Sequence, residues 1–596
     1  PEGVKTLCVI SPDCDGDGLP DGDEVNCDPQ KYPFAATNTR LSHDSDGDGG
    51  SDAAEYAAAQ FAIEQNKNCE ETKKCYKIPS LTQIGRFELI SSPDQVICDA
   101  AVEVKDIFDF YFELPKNGPE KSDNLIFSPS VSKLDVVINL DVTGSMQAEI
   151  DDIKSKLGST IIPKTKERVS DSAFGISAFA DFPITLGNNS GVHYGYPTNR
   201  TKYQADKPWN MLANVTTDSG VLVGAVSNYA LTDGADYPEA GYESLWQIAG
   251  ADTVTSETQT KYATMANDGT YCTGSPTGWT LLEAITPTAD RWGGARFRND
   301  SLPVVVHVTD APSHSSTLAT GFSLQEYPYA TYIQNPHTDV DVHQLYKDKG
   351  ARIISVYRRS IEDAVNGGKD GEGIAAGAQH PVLLNTSTET NAIVPACAFK
   401  KSDNTWTCGE NKCCTVTTAA GSVDPNDGKC TLSYGIVNGA SLSETLVDGI
   451  DALVKYGTNE VATRVIGSPI PGSDKTTACF IKRVVANKYV APPQEPEASC
   501  NPVATKEKFK ANPTDPDLDY FNGFSNFAAG TSSINREGAK LHFDVIAQND
   551  DCVAPKRTAQ AFSAQIELYN PTTNLSLGKR EVYIIVPGEI HVDVVN

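Results

Sequence analysis

The chain has 596 residues, 39% of them apolar and 21% charged, with a formal net charge of −29. That length exceeds a single hydrophobic core and divides into about three or four domains of roughly 150 residues, while the ordinary apolar fraction excludes wholesale disorder. An excess of carboxylates argues against nucleic acid, whose partners normally show a basic face, and favours cations.

The first 76 residues are rich in Asp. Asp13, Asp15, Asp17, Asp21 and Glu24 occupy positions 1, 3, 5, 9 and 12 of a loop with Gly18 at its turn, and Asp44, Asp46, Asp48, Asp52 and Glu55 repeat the spacing around Gly49. Ca²⁺ takes six to eight hard oxygens around one point, which an alternating acidic loop closed by a carboxylate at position 12 supplies. Cys14 and Cys27 bracket the first loop and are placed to be joined, which would staple a module that lacks a core. Residues 53–68 have the composition of a short helix leaving the second loop. The loops resemble thrombospondin type 3 repeats and the Asp-rich modules of exported bacterial proteins, which implies structural calcium.

Residues 77–132 carry short alternating runs (RFELI, VEVKDIF, DFYFEL) that predict a β segment. From residue 133 to 457 strand and helix signals alternate. LDVVINLD (134–141), AFGISAFADF (173–182), LPVVVHVTD (302–310) and ARIISVYRR (351–359) have the apolar, β-branched make-up of strands buried on both faces. Helical stretches at 217–230, 240–250, 341–350 and 441–457 lie between and after them, and a further one follows DVTGSM. The order predicts a doubly wound α/β sheet, whose ligands bind beyond the carboxyl ends of the strands. At that edge Asp141, Thr143 and Ser145 follow the first strand, with Asp310 placed to join them. Two hydroxyls and a carboxylate on one turn offer a cation hard oxygens without filling its shell, leaving room for water and an incoming carboxylate. Taken alone, the D-x-T-G-S spacing also suits a strand-to-helix turn with a capping Asp and Ser.

Four landmarks taken together, DVTGSM, GISAFADFP, ADYPEAGYESL and VVHVTDAPSH, resemble the integrin β-subunit I-like form of the von Willebrand factor A (VWA) domain. That resemblance implies a metal-ion-dependent adhesion site (MIDAS) in which Thr143, Ser145 and Glu239 bind Mg²⁺ or Ca²⁺ directly, and Asp141 and Asp310 act mostly through water. It further implies a synergistic Ca²⁺ site drawing on Asp181, Asp236, the carbonyl of Pro238 and Glu239. An Asn expected there is replaced by Gly234, and the acidic pair of an adjacent inhibitory site falls on Ala148 and Glu149. Across most of its length the chain is similar to a family of exported, mostly bacterial VWA proteins with an Asp-rich leader and a C-terminal β-domain.

Residues 251–300 and 387–432 interrupt the α/β pattern and read as surface insertions, serving either partner contacts or padding stapled by disulfides. The second holds five cysteines, including the vicinal Cys413 and Cys414. From 458 to 596, alternating runs such as KLHFDVIAQ, AFSAQIELY and REVYIIV predict a C-terminal β-sandwich. The family resemblance implies that it combines with the earlier β segment into one hybrid-like sandwich. The last run, EIHVDVV, suits either the final strand of its own sheet or strand addition to a neighbouring subunit.

The chain's 15 cysteines include no C-x-x-C pair, so disulfides in an oxidising compartment are the default reading. The odd count leaves one thiol free, paired between chains or bonded to a partner. Sequons at Asn188, Asn199, Asn214, Asn299, Asn385 and Asn574 are candidate N-glycosylation acceptors. No apolar run approaches the length that spans a bilayer, and a start at Pro1 reads as an already processed, exported product. No H-E-x-x-H, G-x-S-x-G or phosphate-binding glycine loop predicts an enzyme. The expectation is a secreted or cell-surface glycoprotein that holds an acidic protein or glycan ligand on its MIDAS cation, with no membrane span of its own. The alternative is a self-assembling subunit of an extracellular filament, sheath or surface layer stabilised by calcium and disulfides.

Overall fold

In the computed structural model the described residues are 110–183, 194–196, 203–234, 238–250, 289–314, 336–358, 379–399, 405–415, 429–437, 442–490, 540–556 and 559–588, with short pieces at 57–58, 61–62, 64–65, 74–76, 103–105, 422–423, 426 and 527–528. Both calcium loops, Asp236, the sequons at Asn188 and Asn199 and the run EIHVDVV lie outside them.

The principal strands, in chain order, are β1 (Tyr111–Glu113), β2 (Lys121–Phe127), β3 (Lys133–Asp141), β4 (Asp171–Phe179), β5 (Asn210–Thr216), β6 (Leu302–Thr309), β7 (Arg352–Arg358), β8 (Ser433–Ile436), β9 (Ala462–Gly467), β10 (Ile481–Val490), β11 (Lys540–Ala547), β12 (Gln560–Tyr569) and β13 (Ser576–Val586). The main helices are α1 (Gln147–Lys156), α2 (Ile162–Arg168), α3 (Ser219–Val226), α4 (Gly241–Gly250), α5 (Asp339–Lys349), α6 (Pro381–Glu389) and α7 (Leu442–Tyr456).

A six-stranded sheet runs in the order β8-β7-β6-β3-β4-β5, parallel except for β5. Its central strands are buried on both faces because helices cover both, and most of their side chains are apolar. Val136, Ile138, Val304, Val306 and Ile354 pack into one layer with Ile150, Leu222 and Leu446, while Val137, Val305 and Ile353 pack into the other with Leu245, Ile248 and Tyr346. Helix α7 presents Leu442, Leu446, Ile450 and Leu453 at helical spacing to the first layer. Helix α5 opens on a capping box of Thr338 and Asp341 and stops at Gly350, whose φ of 64° suits a residue without a Cβ. The helix after DVTGSM runs on past the predicted stretch: a π turn at Leu157–Ile161 passes the chain into α2.

Two smaller sheets combine strands from both sides of this unit. β1 joins β9, β12 and β13 in the order β9-β12-β13-β1, and β2 joins β10 and β11. The sheets face one another where Gly578 lies against the Phe127 ring, and Ala57, Ala58 and Ala62 pack against Tyr583 and Ile585. The disulfide Cys479–Cys552 ties the turn before β10 to the one after β11.

The two segments read as surface insertions also contribute residues to the core. Ala295 and Phe297 are fully buried, and Arg298 reaches under the sheet to bond Asp135 and Asp171 at the amino ends of β3 and β4. In the second segment Val394, Ala396 and Cys397 are buried. The vicinal pair there takes separate partners, Cys408–Cys414 and Cys413–Cys430.

Candidate metal centre

Parallel pairing sets the site before any side chain is considered. Val308 lies opposite Leu140 and Thr309 opposite Tyr357, so β3, β6 and β7 end together and place Asp141, Asp310 and Arg358 side by side. Strand β4 ends beside them with Phe179 opposite Asp141, and Asp181 follows. Backbone bonds draw in a fourth segment: Thr232 N donates to Val142 O (2.8 Å), Ala240 N to Ala180 O (2.9 Å) and Glu239 N to Pro312 O (2.9 Å). His314 N donates back to Glu239 O at 3.0 Å.

Asp141 is fully buried and clamps two turns. Its Oδ1 accepts from Thr143 N (2.9 Å) and Thr143 Oγ1 (2.7 Å), and its Oδ2 accepts from Thr309 Oγ1 (2.7 Å). Burial, and then the neighbouring Asp310 carboxylate, raises its pKa against the pull of these donors. Thr143 is buried and Ser145 exposed at the mouth of the turn. Glu239 is buried beside them. A Cβ added at Gly234 would stand 3.1 Å from Glu239 Oε1 and 3.3 Å from Thr143 Cγ2, so this glycine, with φ of 61°, leaves the space in which the two meet. Asp310 accepts from Arg358 Nη1 at 3.1 Å.

Of the synergistic set, Asp181, Pro238 and Glu239 are among the described residues. Asp181 is buried, but its Oδ1 accepts from Phe182 N (2.6 Å) and its Oδ2 lies 3.1 Å from His314 Nε2. Pro238 is buried on the same segment as Glu239. Glu149, on the first turn of α1, is buried with its Oε1 3.6 Å from Arg358 Nε.

Three residues absent from the sequence reading shape this edge. Asp206 accepts from Gly234 N (3.2 Å) and Tyr196 N (2.5 Å), pinning the segment that carries Glu239. His307 stacks on Phe179 and meets Asn139 Nδ2 at 3.0 Å; burial drives its pKa down to about 3, which keeps it neutral beneath the site. Arg358 supplies positive charge at the rim. His307 carried a signal, a polar residue inside a buried strand run, whereas Asp206 sits in a loop without a motif.

The donor chemistry suits a hard divalent cation: carboxylates and hydroxyls, without thiolate. Among the described residues no three His, Cys, Asp or Glu side chains converge tightly enough to hold a metal by themselves. A cation here would need the Thr143 and Ser145 hydroxyls and water as well as Glu239. Of the described sequons, Asn214, Asn299, Asn385 and Asn574 are all exposed. Among the described residues no helix is long and apolar enough to cross a membrane.

No family model matches this chain, and no curated protein matches it. Among solved structures 112 chains do. Two crystal structures of the pilus adhesin SpaC from Lactobacillus rhamnosus GG, one in the open conformation, are 10% identical, with TM-scores of 0.26 and 0.27. Each alignment covers 79% of this chain and 46% of the adhesin. Proximal thread matrix protein 1 from the mussel byssus is 9% identical with a TM-score of 0.18, over 42% of this chain and 43% of that one. The chain thus spans less than half the length of the adhesin it matches, and likenesses this slight assign neither a fold family nor a role.

Proposed function

We propose that this is an extracellular binding protein that holds an acidic group of a protein or glycan partner on a divalent cation at the carboxyl edge of its six-stranded sheet. The observation that supports it is the convergence of the turn after β3, the turn after β6 and residues 231–234 and 238–240, which brings Asp141, Thr143, Glu239 and Asp310 to one rim. Burial and the neighbouring Asp310 carboxylate both disfavour the charged form of Asp141, and a cation with open coordination positions would offset that and still accept a ligand oxygen. The three disulfides among the described residues favour an oxidising compartment. The VWA and MIDAS reading, the Asp-rich calcium loops and the absence of enzymatic chemistry belong to this proposal.

Mn²⁺ provides the test, because water-proton relaxation reports a bound ion that keeps exchanging water. The full chain is expected to show a site whose signal disappears in both Asp141→Ala and Glu239→Ala. Capture of the chain on immobilised acidic peptides or uronic-acid glycans is expected to vanish with EDTA. Mn²⁺ binding indifferent to both substitutions would overturn the proposal.

A further inference from the structure

Asp310 is shared at this edge. Its carboxylate accepts from Arg358 Nη1 at 3.1 Å, and the other side of the same guanidinium faces Glu149, with Nε 3.6 Å from Oε1. Arg358 is only 15% exposed, Glu149 is fully buried and Asp310 is 12% exposed, so the ionic row is largely shielded from water. Each member comes from a different element: Glu149 from the first turn of α1, Arg358 from the last residue of β7 and Asp310 from the residue after β6. A guanidinium cannot give up its charge in this setting.

We infer that Arg358 is a positioning residue that competes with the divalent cation for Asp310, so that the site fills less readily than the same oxygens would without it. The inference rests on the cation reading above and concerns its regulation. Two effects act in the same direction. A cation that draws on Asp310, directly or through water, must share or break its bond to Arg358, and the fixed positive charge repels a divalent ion nearby. Glu149 has the opposite role: by holding the far side of the guanidinium it divides the attraction of Arg358 between two carboxylates and weakens the grip on Asp310. The row is a balance in which α1 and β7 set the cation affinity of the residue that follows β6.

This predicts shifts of opposite sign. With Mn²⁺ and the full chain, Arg358→Gln is expected to bind about tenfold tighter, the order expected for lifting one unit charge from a divalent ion at partly screened range. Glu149→Gln is expected to bind several-fold weaker, and Arg358→Lys, which keeps the charge, to stay close to wild type. The site's signal is the part lost in Asp141→Ala, which separates it from other Mn²⁺ sites on the chain. Metal-free melting curves check that each variant is folded. A residue with only a structural role would weaken Mn²⁺ binding in both neutral variants. That result, or no shift in either while Asp141→Ala still abolishes the signal, would overturn the role of Arg358 and leave the cation proposal standing. Loss of the Asp141 dependence itself would overturn the cation proposal.

Discussion

At the scale of single residues, charge burial marks where the molecule is least tolerant. Asp135 has no exposure, and Arg298 meets it twice, with its backbone N at 2.7 Å from Oδ2 and its Nε at 2.7 Å from Oδ1. Burial raises the Asp135 pKa, and the guanidinium and Ser301 oppose that rise. Removing one partner of a buried pair leaves an uncompensated charge, at a cost of roughly 3–5 kcal/mol. Arg298→Ala is therefore expected to lower stability by that order, read as a lower denaturant midpoint; a midpoint within error of wild type would show that Asp135 finds another partner. The same residue shows what a sequence leaves hidden. Arg298 sits at the end of a Thr- and Gly-rich run whose composition suggests surface, and its partners are 163 and 127 residues away. No local pattern encodes such a bond.

At the scale of elements, the buried strands are legible in the sequence because helices cover the sheet on both faces, so runs such as LDVVINLD and LPVVVHVTD are predominantly apolar. Strands β5 and β8 lie at the two edges of that sheet, and their polar, short runs, NMLANVT and SYGI, lack this signature. The D-V-T-G-S turn is legible as a feature of a strand end. The placement of Arg358 and Glu149 around Asp310 is not, because it depends on which parallel strands lie side by side. The pairing of cysteines is equally invisible in spacing: Cys413 and Cys414 are neighbours in sequence and go to different partners. Cys479–Cys552 closes a span of 73 residues, and a bridge over a loop of that size contributes about 4 kcal/mol in the chain-entropy model. The double variant Cys479→Ala/Cys552→Ala is expected to melt lower by that order in calorimetry. Unchanged melting would mean that the bridge removes no entropy from the unfolded chain beyond what it costs the folded one.

At the scale of the whole molecule, the α/β unit and the flanking sheets share one continuous apolar cluster, from Leu125 and Phe543 in the small sheets to Val304 and Leu446 in the large one. Ser132 Oγ donates to Ser576 O (2.7 Å) and Ser130 N to Leu577 O (3.0 Å) across the junction. Sharing a core couples the two parts, so they are expected to unfold in one transition. Phe543→Ala, which empties a buried ring site between the small sheets, should cost about 3–5 kcal/mol and lower the whole transition. A separate melt of the α/β unit at its original temperature would show that the two parts are independent.

Strand β1 lies parallel to β13, with Tyr111 opposite Tyr583 and Glu113 opposite Ile585, held further by Leu114 N to Ile585 O at 2.7 Å. Tension applied at residue 110 and residue 586 would therefore load this ladder lengthwise, straining its hydrogen bonds together in shear instead of opening them one after another. A protein held at one of these points and tugged at the other would resist extension at the seam between β1 and β13.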